Sequence, residues 1–168
     1  MRPSQAAALL CIVAAQASAQ FSTPNPDWKE TEAPRPPVPQ TANLIPLEIP
    51  GATLRYGVDP ASVSLGSDGI VRYVVVATSA SGATNASYEG IRCNAGDVRV
   101  YARYHADSGW TPAADIEWRP LQDGRPFRHS LAVARNGACL GHSANRSLTQ
   151  ILRDLRSPVD RRFNNTGN

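Results

Sequence analysis

The chain has 168 residues, and its 17 Lys and Arg against 14 Asp and Glu leave a formal charge of +3, which argues little for an anionic partner. Lys29 is the only lysine, so the basic groups are almost all arginine. No apolar run approaches the roughly 20 residues a bilayer span needs, and the length suits a single domain with a tail.

In chain order, "MRPSQAAALLCIVAAQASAQ" comes first and reads as a secretory signal. Arg2 is the positive start, Ala6 to Ala15 is a short apolar run, and Ala17 to Ala19 is a small-residue cleavage site, so residues 1–19 are expected to be removed after Ala19. Leu10 stands where a lipobox needs a small residue before its cysteine, so no lipid anchor is expected at Cys11. The chain should be periplasmic or secreted. Cleavage leaves Cys93 and Cys139, and an isolated pair in an oxidising compartment is most simply one disulfide. A metal site is the rival, but no CxxC or HxxxH supports it.

Residues 20–50 carry prolines at 24, 26, 34, 36, 37, 39, 46 and 50, which predicts an extended, polyproline-like tether. Trp28, in "DWKE", is expected to dock on the domain. That domain is expected over 51–157, with 158–168 as a flexible tail. "ATLRYGVD" (52–59) is a strand and "PASVSLGSDG" (60–69) a turn-rich connector. Three strands follow, at 70–79, 84–93 and 97–105, joined by short Gly-containing links as antiparallel hairpins require. "ADIEW" (114–118) is a possible edge strand. Two helical stretches complete the domain, 125–139 and 145–158; in the second, Leu148, Ile151, Leu152 and Leu155 keep i, i+3, i+4, i+7 spacing. Ser143, Asn145 and Ser147 are candidate caps for it. The fold expected is α+β: an antiparallel meander of four to five strands, C-terminal helices on one face, and one disulfide.

Turns centred on Ser81-Gly82 and on 94–96 would gather Val71, Tyr73, Val75 and Ala77 with Tyr88, Val98 and Val100 into a core face. The other face would then hold Glu89 among Arg72, Arg99 and Arg103, beside Tyr101. A carboxylate so placed is not buried alone, which would be costly. Arg72, Glu89, Arg99, Tyr101 and Arg103 are therefore the candidate binding face, with a structural ion-pair cluster roofed by the N-terminal segment or by the chain near Cys139 as the competing reading. A one-residue slip would exchange the two faces.

No catalytic signature is present: there is no nucleophile elbow, HExxH, P-loop, GxGxxG or Ser-x-x-Lys. His105, His129 and His142 lie in different elements without metal-ligand rhythm, so no metal, cofactor or catalytic residue is expected. Arginine and tyrosine on a sheet face suit base stacking, but export argues against nucleic acid.

The stretches "VDPASVSLGSDGIVRY", "SYEGIRC" and the pair Trp110 and Trp118, with "DWKE" upstream, resemble the CNP-one-like family of exported proteobacterial envelope proteins. The resemblance covers about residues 27–118 and implies a bacterial periplasmic or envelope location, with no activity attached. The order of strands and cysteines is also similar, more loosely, to small disulfide-bearing sheet domains of the surface-adhesin protein E type, an architectural likeness only. The leading expectation is a non-catalytic envelope-associated binding or accessory protein. Its partner would be an envelope protein or anionic envelope component, met through the arginine/tyrosine face. The alternatives are a small periplasmic hydrolase without a recognisable motif, and a structural accessory that docks through the proline-rich segment.

Overall fold

A computed structural model describes residues 27–122 and 124–157. The expected signal (1–19) and tail (158–168) lie outside them. The fold is α+β, built on one antiparallel sheet in the order β1 (Ile45–Leu47), β2 (Arg55–Leu65), β3 (Ile70–Thr78), β4 (Thr84–Arg92), β5 (Asp97–His105) and β6 (Gly109–Pro112). A short β7 (Arg119–Pro120) also pairs with β5. The four strands predicted at 52–59, 70–79, 84–93 and 97–105 are present, and short strands extend the meander at both edges. β1 comes from the proline-rich stretch. β2 runs through the predicted connector as far as Leu65, past an irregularity between Asp59 and Ser64. "ADIEW" forms no strand; Asp115 and Glu117 instead hold Arg119 at the start of β7.

The predicted register is displaced by one residue between β3 and β4. Thr78 pairs with Thr84 and Tyr73 with Glu89, because Ser79 leaves the strand to make the turn. Its carbonyl accepts from Gly82 N and its hydroxyl from Ala83 N, with Gly82 at φ +86. Between β4 and β5 a bulge at Tyr101 absorbs one residue, so Tyr88 pairs with Ala102 but Glu89 with Val100. Glu89 therefore points to the face of Tyr73 and Val75, away from Arg72.

That face is the main core. Val58, Val71, Tyr73, Val75, Ile91 and Val98 pack under α1 (Arg128–Val133), a π-helical turn (Ala134–Ala138) and α2 (Leu148–Arg156). α2 starts where Ser147 caps Gln150 N and ends with Arg153 and Arg156 at its negative pole. Its buried Ile151 and Leu155 each stabilise by about 2 kcal/mol. α2 crosses the π-helical turn at Gly137, where a Cβ would meet Ile151 O and Leu155 N at 2.9 Å. Gly137→Ala is expected to cost about 1–3 kcal/mol in urea denaturation, since neither atom belongs to a side chain that can move aside.

Beyond the helical turns, β8 (Cys139–Leu140) and β9 (Ser143–Ala144) form a small hairpin. The Cys93–Cys139 disulfide ties it to the end of β4. The opposite sheet face carries a second core of Val74, Val76, Ala86, Tyr88 and Ala102. The segment before β1 lies across it, contributing Ala33 and Leu44, so the stretch read as a tether packs as a strap from residue 27 onward.

Candidate functional site

Two constellations emerge from this register, one on each face. On the strap side Arg72, Arg99 and Tyr101 come together as expected, but their carboxylate is Glu30. Glu30 accepts from Tyr101 Oη at 2.7 Å and Arg99 Nη1 at 2.5 Å, and lies 3.7 Å from Arg72. Arg72 is 1 % exposed. It also pairs with Asp68 at 2.6 Å and donates to Thr31 O. Asp68 in turn accepts from Thr31 N and Oγ1. Burial alone would raise the Asp68 pKa, but the Arg72 and Thr31 hydrogen bonds hold it well below the usual carboxylate range. Arg92, paired with Asp97, is sandwiched between Trp28 and Trp118 at 4.8 and 4.9 Å from the ring centroids. Trp28 docks as expected, through its indole N–H to Asp68 O. This constellation is internally matched: each of its cations meets an acid.

The other two members of the predicted set, Glu89 and Arg103, lie on the helix-covered face. Glu89 is 1 % exposed and accepts four hydrogen bonds, two on each oxygen. Ser87 Oγ and His129 Nε2 reach Oε1 at 2.6 and 2.9 Å, and Tyr73 Oη and Ser130 Oγ reach Oε2 at 2.9 and 2.8 Å. Burial alone would raise the Glu89 pKa. The His129 charge and hydrogen bond, helped by the two serines, outweigh burial and bring it down to about 2. Burial likewise opposes charge on His129, and Glu89 reverses that, raising the imidazole above its ordinary value against the pull of Arg103. Tyr56 stacks flat on the imidazole, with ring centroids 5.0 Å apart.

His129 is positioned by α1 and Glu89 but not sealed in. Two clefts of about 300 and 310 Å³ share Ser87, Arg103, Pro126 and His129 in their walls. A third, of about 310 Å³, is lined by Tyr56, Arg128 and His129. Arg103 is exposed at the junction of the first two. Among the described residues no carboxylate lies within ion-pairing distance of it. Chemically the cleft sets an exposed guanidinium beside an imidazole that its buried carboxylate holds towards the charged form, with Asp115, Glu117 and Arg119 further along the same wall. Within the described residues no cluster of three or more His, Cys, Asp and Glu has the makings of a metal site.

Sequence reading passed over His129, Ser87 and Ser130. Glu89 and His129 are 40 positions apart, so no local pattern links them. The one available signal was Glu89 itself, a charge on a central strand that demanded donors, together with the adjacent His129-Ser130 at the start of a helix that must cover that strand.

No curated protein matches the chain, and no solved structure does. The sequence model of the CNP1-like family matches residues 23–156, which takes in the strap and, among the described residues, the strands and helices from β1 to α2. The match extends the likeness seen in "SYEGIRC" over the helical third of the fold, and the chain belongs to the CNP1-like family.

Proposed function

We propose that the chain is an exported, envelope-associated, non-catalytic binding protein that holds an anionic envelope component in the cleft of Arg103 and His129. Export rests on the signal-like pattern of residues 1–19. Of the arginine/tyrosine set read from the sequence, Arg72, Arg99 and Tyr101 are already engaged by Glu30, which leaves Arg103 as the member open to a partner. The observation that carries the reading is this exposed guanidinium, with no acid paired to it among the described residues, at the mouth of a cleft backed by a charge-poised imidazole.

The test immobilises residues 20–168 and an Arg103→Ala variant, checked to be folded and oxidised, and passes envelope extract from the source over both at pH 6 and pH 8. The expected outcome is material retained by the unaltered chain, lost by the variant and held less firmly at pH 8 than at pH 6, the direction in which His129 loses its proton. Equal retention by both chains overturns the assignment.

A second reading is supported by His129 itself. An imidazole oriented by a buried carboxylate is the arrangement of a general base, and both nearby serines donate to Glu89, so the nucleophile would be a water in the cleft. On this reading the chain is a small hydrolase, and His129→Gln abolishes turnover of an ester and amide panel that the unaltered chain hydrolyses. Absence of turnover by the unaltered chain removes it.

A further inference from the structure

The strap meets the sheet in a regular way. From Glu30 onward every third residue turns inward: Glu30, Ala33, Pro36 and Pro39 are half-buried, and the residues between them are exposed. A three-residue period is that of the polyproline II helix, which the prolines at 34, 36, 37 and 39 favour. The floor beneath is aromatic. Tyr88 contacts Tyr101 and Trp110, with centroids 5.4 and 6.4 Å apart, and Tyr104 contacts Trp110 at 5.3 Å. The Trp110 indole N–H donates to Pro37 O at 2.9 Å. At the head of the strap, Glu30 is clamped by Arg99 and Tyr101.

An aromatic floor, an indole donor aimed at a proline carbonyl and a charged clamp at one end are what hold proline-rich peptides in grooves. The strap is also lightly attached by its own backbone. Between residues 27 and 44 it belongs to no strand, and two of its amides, Thr31 N and Gln40 N, bond the side chains of Asp68 and Asp59. The link to β1 through residues 40–43 is exposed, with Asn43 at φ +58. The strap can leave without breaking a sheet ladder.

We propose that this face is a polyproline-recognition groove filled by the chain's own strap, and that it accepts a proline-rich segment of a partner protein bearing an acidic residue four positions before its first proline, as Glu30 precedes Pro34. The acidic head is set by Arg99 and Tyr101, which lose their carboxylate when Glu30 departs, whereas Arg72 keeps Asp68. The tethered strap then acts as an intramolecular competitor that sets the threshold for the partner. This surface lies on the sheet face opposite Glu89, shares only Tyr104 of its aromatic floor with the walls of the Arg103 cleft, and its assignment does not depend on that cleft.

The experiment uses the full chain with a protease site inserted between Thr41 and Ala42, cleaved after folding, and a fluorescently labelled peptide of residues 27–40. The cleaved chain is expected to remain folded, to exchange its strap and to bind the labelled peptide, with the uncleaved chain binding it more weakly. Glu30→Gln in the peptide, or Trp110→Phe in the chain, should weaken binding about tenfold. An unrelated peptide with the same acidic head and proline spacing should compete, and one with its prolines replaced should not. Unfolding on cleavage overturns the proposal, because the strap is then part of the core. Failure to bind at millimolar peptide overturns it as well. Competition by the chain's own sequence alone overturns the partner assignment in favour of strap exchange between two copies.

Discussion

Replacing Glu89 with alanine is expected to lower stability by about 4 kcal/mol, a large share of the 5–15 kcal/mol typical of a domain. The carboxylate is 1 % exposed, and its removal strands Tyr73 Oη, Ser87 Oγ, Ser130 Oγ and His129 Nε2 around a void. Urea denaturation measures the loss, and a change under about 1 kcal/mol would contradict the buried placement. The same cluster sets a pH window. Glu89 falls from 4.5 to about 2 in the folded chain, so its contribution is full above 4.5 and is lost as pH falls towards 2. His129 is raised above 6.5, so its contribution is full below 6.5 and is lost as pH rises through its folded value. The pair is therefore most stabilising between those two ordinary values. In a pH series of urea midpoints, His129→Gln should abolish the alkaline decline; persistence of that decline would assign it to another group.

The double substitution Cys93→Ala/Cys139→Ala is expected to cost about 4 kcal/mol, from the 46-residue separation that the disulfide closes in the unfolded chain. Cys93 is 4 % exposed at the end of β4, and Cys139 opens the hairpin that leads to α2. The bond therefore joins the sheet to its helical cover. With the cross-link gone the unfolded chain expands, so the denaturant slope should steepen as the midpoint falls. An unchanged midpoint would mean that other contacts already confine this segment in the unfolded state.

The meander and the last helix were legible because their signals are local. The β-branched apolar run of "IVRYVVVATS", glycine at each hairpin and the Leu148–Leu155 spacing need no distant partner. The disulfide followed from counting cysteines in an oxidising context, and Cys93 and Cys139 are indeed bonded. The site was less legible, because it depends on one residue of register. The Ser79 side chain decides where β3 ends, and the Tyr101 bulge decides where pairing with β5 shifts; neither leaves a mark in hydrophobic pattern. Together they separate Glu89 and Arg103 from Arg72, Arg99 and Tyr101. The acid expected among the arginines was supplied by Glu30, two residues after the Trp28 that was expected to dock, in a stretch whose prolines named no partner for it.

The strap's contacts also have a schedule. Arg99, Tyr101 and Trp110 lie 69, 71 and 73 positions after the strap residues they hold. The strap is made before its floor and can dock only once that whole span of chain has followed it and, on the proposed export, crossed the membrane. Through that interval the half-made sheet shows water, and any chaperone within reach, a bare strip of tyrosine and valine. The closing of that strip is a late event of long loop closure, so the moment at which this chain stops being sticky is set by the arrival of Trp110.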